Sequence, residues 1–243
     1  MSRRLTITVL ACVGALAAQT PPPSDSGAER TPSFMKRFSF GFRVRAIPSR
    51  LFVKRTIATS TTNPALTYNY KTTSSSPYVG FGPALDFSIR RNLLVAVDFL
   101  HHSASYTQTT EITDSNSKKT TISEATRATY WDIPVRLQVL SLPRLPRRMF
   151  VSGGGVLRHA GHIRTGNEFT YHDGSTDYNE WPTKPAKNPI WGVVVGAGFR
   201  FVDDFNIKVM PEVRYTRWFG STYNSASTLS QQGQLEALIG ITF

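Results

Sequence analysis

The last ten residues, QLEALIGITF, alternate without a break: Leu235, Ala237, Ile239, Ile241 and Phe243 fall on one face of a strand, and Glu236, Leu238, Gly240 and Thr242 on the other. Successive strand side chains point to opposite faces, so one face here is apolar and the other small or polar. An apolar edge strand at a chain end invites aggregation in water. A strand that closes a lipid-embedded barrel removes that edge and sets its apolar face against hydrocarbon.

Seven more segments share the two-residue period. They are FSFGFRVR from Phe38, YVGFGPALDFSIR from Tyr78, NLLVAVDFL from Asn92, YWDIPVRLQV from Tyr130, MFVSGGGVLRHAG from Met149, WGVVVGAGFRF from Trp191 and FNIKVMPEVRYTRWF from Phe205. The facing of the Gly-rich fifth is ambiguous. The connections alternate between long polar stretches (about 55–76, 103–125, 165–188 and 220–232) and shorter ones. Membrane barrels show this alternation of short inner turns and long outer loops. No run approaches the ~20 apolar residues of a helical span. The expected fold is therefore all-β, an eight-stranded antiparallel up-and-down transmembrane β-barrel, with both chain ends on the periplasmic side. The long connections, TSTTNPALTYNYKTTSSSP above all, read as solvated mobile loops able to contact an extracellular ligand.

In such a barrel the bulky apolar faces look outward. An eight-strand lumen is only wide enough for side chains to fill it, so small residues such as Gly41, Gly80, Gly82, Gly196, Gly198 and Gly240 leave room for large ones. Charges in a narrow dry lumen must pair. By alternation Asp86, Asp98, Asp132, Glu212 and Glu236 face inward, and they are expected to pair with Arg43, Arg45, Arg90, Arg136, Arg200 and Arg214. A barrel plugged in this way conducts negligibly. Tyr130, Trp131, Trp191, Tyr215, Trp218 and Phe219 lie near strand ends, where aromatic residues favour the lipid–water boundary.

The start of the chain reads as an export signal over 1–18: basic Arg3 and Arg4, an apolar stretch from Leu5, and small residues near Ala18 for cleavage. Residues 19–36 are rich in Pro, Ser and charge and read as a flexible linker, and the barrel domain takes 37–243. The lone cysteine, Cys12, would leave with the signal, which removes disulfides and thiol chemistry from the mature chain. The net charge of +12 suits phosphate-bearing outer-membrane lipid or polysaccharide better than nucleic acid in an exported chain.

YWDIPVRLQV is similar to the Tyr-x-Glu-Ile-Pro-type strand of the small outer-membrane β-barrel domain family, with Asp132 where an acidic residue is usual. PEVRYTRW and the closing LEALIGITF also resemble its late strands. That group includes barrels of the OmpA and OmpX kind. The resemblance spans about Arg37 to Phe243. It implies an outer-membrane location and insertion by the barrel-assembly machinery, which reads the terminal aromatic strand ending at Phe243. It implies no cofactor and carries over no catalytic residue.

Two local features could carry chemistry. His101 and Ser103 share the lipid-facing side of the third segment, and their spacing resembles the His-x-Ser of outer-membrane lipid A deacylases. There a His serves as base for Ser and an acid orients the His. Glu111 or Glu124 could supply the acid, but the deacylase pattern continues with Asn where Ala104 stands. His159 and His162 are three apart, which on a strand sends them to opposite faces, so no metal is expected there. Close glycines without a strand–loop–helix context do not make a nucleotide site. The reading that results is a non-enzymatic barrel of structural or surface-interaction type. A lipid-modifying hydrolase and a small channel are the alternatives.

Overall fold

The computed structural model describes residues 37–49, 51–52, 56–62, 65–74, 78–90, 92–140, 148–223 and 229–243. The expected leader, the linker and Cys12 lie outside the described residues. In chain order the strands are β1 (Phe38–Ile47), β2 (Thr56–Thr62), β3 (Ala65–Ser74), β4 (Tyr78–Arg90), β5 (Leu93–Asp98), β6 (Leu100–Asp114), β7 (Lys119–Leu140), β8 (Met149–Thr170), β9 (Thr176–Pro182), β10 (Ile190–Phe199), β11 (Phe201–Val202), β12 (Lys208–Trp218) and β13 (Gly233–Thr242).

Antiparallel ladders join β1 to β4, β4 to β5 and β6, these to β7, and then β7 to β8, β8 to β10, β10 to β12 and β12 to β13. The ring closes where β13 pairs β1, from Gly41↔Thr242 to Ala46↔Ala237. β5 and β6 are one stave interrupted at Phe99, and β11 prolongs β10 against β12. The wall is thus an eight-stave antiparallel barrel with no free edge in the ring. This is the architecture that the alternation and the resemblance both implied. Gly82 is required at the interruption, because a Cβ there would lie 1.7 Å from the Phe99 carbonyl oxygen.

Facing follows the two-residue period. Outward Phe40, Val213 and Ile239 are 68%, 56% and 57% exposed, whereas inward Arg43 and Asp98 are 1% and 0%. A soluble barrel would bury the first set and expose the second. The outward rows are bulky and apolar over ~25 Å of wall, the height of a transmembrane band. The described residues contain no helix long and apolar enough to cross a membrane; the strands do so instead.

Both ends of the described barrel meet at one rim, the lower, where the Phe243 amide donates to the Phe40 carbonyl at 2.8 Å. The opposite, upper rim differs from expectation. Much of what reads as long loops is strand: β6 and β7 continue to Thr113↔Lys119, β7 and β8 to Thr121↔Thr170, and β2, β3 and β9 add to the two flanks. A six-stranded wall, β2-β3-β6-β7-β8-β9, therefore rises beyond the band. Threonine explains it. Its β-branched side chain suits the pleated backbone, and its hydroxyl suits water. The β6–β7 turn is locked by Asp114, whose Oδ1 accepts from the Asn116 and Lys118 amides at 2.7 and 3.0 Å.

Candidate functional site: the barrel lumen

The inward faces build three layers. Near the lower rim Leu94, Leu140, Phe150 and Met210 form an apolar floor. Near the upper rim Ile47, Leu51, Phe52, Tyr78, Tyr106, Tyr130, Ile163 and Tyr223 form an apolar and aromatic cap. Phe52 and Tyr223 come from connecting segments rather than staves, and their rings pack on Tyr106 at 4.7 and 5.5 Å. Between floor and cap lie the charges.

The charges form two groups. In the first, Arg43 meets Asp86 at 3.0 Å, Asp98 at 3.1 Å and Glu212 at 3.4 Å. Arg136 reaches Asp98 at 2.9 Å and Glu212 at 2.7 Å. Arg214 reaches the same two at 2.9 and 2.8 Å. Ser152 Oγ donates to Glu212 Oε1 at 2.8 Å. Three guanidinium groups face three carboxylates, so the group is neutral. Asp98, fully buried, is shared by all three arginines.

The second group lies nearer the cap. Asp132 accepts from Arg158 Nε and Nη2 at 2.7 and 2.8 Å, the fork geometry of a bidentate pair. It also meets Arg45 at 2.8 Å, and Arg45 meets Glu236 at 3.4 Å. Arg158 Nη2 and Trp218 Nε1 both donate to Gln234 Oε1, at 2.9 and 3.3 Å, and Gln234 Nε2 donates to Glu236 at 2.7 Å. The Arg158 guanidinium stands 4.0 Å from the Trp218 ring centre and 5.2 Å from that of Tyr130, a double cation–π contact. His102 Nδ1 is 2.7 Å from Arg45 Nη2. A guanidinium only donates, so this nitrogen accepts and the ring proton sits on Nε2. Two arginines and two carboxylates again balance with neutral His102.

Each charge has its room because β10 contributes none. Its inward positions are Ile190, Gly192, Val194, Gly196 and Gly198. A Cβ on Gly196 would come within 2.7 Å of both Glu212 Oε1 and Ser152 Oγ. The missing side chain is the space that the first group occupies.

Of the eleven charged residues read from sequence as lumen groups, nine meet in these two groups. Arg90 does not: it is exposed at the lower end of β4. Arg200 does not either. It is half-buried just beyond β10 and makes no ion pair among the described residues. Alternation says which face a residue takes, not how deep it sits. Arg158 is the group that sequence reasoning missed, because Gly153, Gly154 and Gly155 erase the apolar rhythm of β8. The signal was the parity of Phe150, Ser152 and Val156, which are inward with Arg158. Tyr130 and Trp218 are a further correction. Both are buried in the lumen, whereas Trp131, Trp191, Tyr215 and Phe219 are the exposed members of the expected aromatic belt.

His101 and Ser103 lie on the outer wall. The His101 ring packs between Phe81 and Trp131, at 6.1 and 5.0 Å. Glu111 faces Thr121, and Glu124 faces Gln108, both higher on the β6–β7 ladder. Glu124 is thus offset from Ser103 by five residue steps, ~16 Å at strand rise. Neither carboxylate stands beside His101. Among the described residues no cluster of His, Cys, Asp and Glu is arranged to hold a metal.

No family model matches the chain, and no curated protein matches it in sequence. Among solved structures it is similar to Ail, the attachment invasion locus protein of Yersinia pestis, in complex with the heparin analogue sucrose octasulfate. That match has 13% identity, 85% of this chain and 96% of Ail covered, and a TM-score of 0.34. A second Ail structure gives 12% identity, the same coverages and a TM-score of 0.26. The outer membrane protease OmpT from Escherichia coli gives 10% identity, 84% and 92% coverage and a TM-score of 0.32. The barrel assignment stands on the closed ladder of this chain, independently of these likenesses.

Proposed function

We propose that this barrel resides in a bacterial outer membrane as a non-enzymatic protein of structural and surface-interaction type. Its lumen is sealed, and its upper wall of β2, β3, β6, β7, β8 and β9 is the surface offered to the exterior. The observation that carries this reading is the stack of apolar floor, two charge-neutral groups and aromatic cap. A conduction path needs a continuous wet column. Here each buried carboxylate meets at least one arginine at 3.4 Å or less, so each buried negative charge is offset by the protein itself. Insertion by the barrel-assembly machinery through the Phe243-terminated strand belongs to the same reading, as does engagement of an extracellular ligand by the upper wall.

Planar-bilayer recording of the refolded chain, first shown to be a barrel by heat-modifiable gel mobility, tests it. The expected result is no stable current step. A stable open channel of porin size would refute the sealed lumen. The hydrolase alternative gains no support from His101 and Ser103, which lack an adjacent carboxylate. Ser103→Ala is expected to leave lipid A acylation unchanged by mass spectrometry.

A further inference from the structure

The outer wall carries a feature that the sealed lumen does not explain. His101, Trp131 and His159 form one cross-strand row on the outer face, through His101↔Trp131 and Trp131↔His159. Rings with one apolar and one polar side mark a lipid–water boundary. Beyond this row on the same outer face comes a row of Ser105, Arg127 and Arg164, through Ser105↔Arg127 and Arg127↔Arg164. From Trp131 to Arg127 is four residues, ~13 Å along a tilted strand, which places the two guanidinium groups ~10 Å above the hydrocarbon edge if the strand tilts ~40°.

Two arginines directly opposite on neighbouring strands repel. Nothing here neutralises both. Arg164 meets Glu180 at 3.8 Å with both side chains well exposed, a contact of little strength. Arg127 makes no ion pair among the described residues. Beside them the wall is hollowed. Ala125, Gly166, Ser105 and Thr107 are small, and the Tyr178 ring leans over Gly166, where a Cβ would lie 2.5 Å from its hydroxyl. The resulting cavity, ~480 Å³, is walled by Arg127, Arg164, Tyr178 and Glu180.

We propose that this hollow binds the phosphorylated headgroup of an outer-leaflet lipid, with Arg127 and Arg164 clamping one phosphate between them. The inference rests on the membrane reading above. Its occupant is a lipid rather than a free anion because the site lies directly above the acyl-facing band. A headgroup held there has its chains already against Trp131 and Ile133. The phosphate relieves the Arg127–Arg164 repulsion, Ser105 and Thr107 line the hollow, and Tyr178 flanks the sugar or glycerol portion. Glu180 swings from Arg164 to water as the phosphate enters.

The test uses the full chain refolded in detergent micelles and native mass spectrometry. The probes are an acylated bisphosphorylated glucosamine disaccharide, the same lipid with both phosphates removed, and inorganic phosphate in large excess. The expected result is binding of the phosphorylated lipid at least about tenfold tighter than of its dephosphorylated form, the size of one lost charge-assisted contact. In Arg127→Gln/Arg164→Gln that preference disappears. In Arg90→Gln/Arg148→Gln, which removes equal charge from exposed positions at the lower rim, it persists. Equal binding of the two lipids, or an unchanged preference in the Arg127/Arg164 variant, overturns the proposal. Displacement of the lipid by inorganic phosphate alone overturns the choice of a lipid occupant. Loss of heat-modifiable mobility in the unsubstituted chain would instead sink the barrel reading beneath it, and single substitutions at Arg127 and Arg164 stand in if the double variant fails to fold.

Discussion

Arg136 shows how a single residue carries the lumen. Its guanidinium bridges Asp98 and Glu212 from a third stave, so its removal leaves two buried carboxylates short of a partner. Breaking a buried pair from one side costs about 3–5 kcal/mol, far more than the pair contributes relative to an apolar replacement. Arg136→Met should therefore lower the unfolding free energy of the refolded barrel, read from urea denaturation, by that amount. A double-mutant cycle on Arg158 and Asp132 should return a coupling above about 1 kcal/mol; a coupling near zero would mean that the bidentate pair does not form. At the upper tip, the Ser175 hydroxyl and amide both donate to Asp173 Oδ1, at 2.6 and 2.9 Å, and hold that carboxyl below its ordinary 3.8. Because the folded value is depressed, the turn gains from the ionised form above the ordinary pKa and loses that gain as pH falls through the folded one. Side-chain NMR should find Asp173 titrating low, and Ser175→Ala should move it up.

At the scale of elements, alternation settles the facing of β1, β4, β5, β7, β10, β12 and β13. There one face is bulky and the other small or charged, and a one-residue slip would invert every side chain. The same pattern is silent where its contrast fades. β8 loses it to three consecutive glycines, and a register shift between Ala128 and Tyr130 in its pairing with β7 changes parity above that point. That is why Arg158 stayed hidden and why Ile163 joins the cap. The upper wall was illegible for another reason. Both faces of β2, β3 and the tops of β6 and β7 carry mainly polar side chains, so hydropathy cannot separate strand from loop, and only the β-branched threonines hint at order. Hydrogen exchange distinguishes the two. The amides of Thr107, Thr109 and Ile112 should be protected although they lie beyond the band, because each residue sits in a ladder on both sides. Exchange at loop rates would contradict the extended wall.

The whole molecule is an inverted protein: apolar rows outside, ion pairs inside, with aromatic rings marking where lipid gives way to water. The charge balance of each lumen group, the glycines of β10 and the cap residues Phe52 and Tyr223 all serve one end, a filled tube. The +12 formal charge is not explained by that tube, whose paired groups cancel.

The inversion itself is open to a direct test. Nitroxide labels placed singly at positions 133 to 139 of β7, with the barrel in lipid vesicles, report access to dissolved oxygen, which concentrates among acyl chains. The account predicts a two-residue oscillation, high at Ile133, Val135, Leu137 and Val139 and low at Pro134, Arg136 and Gln138. A flat profile, or one with the opposite phase, would contradict it.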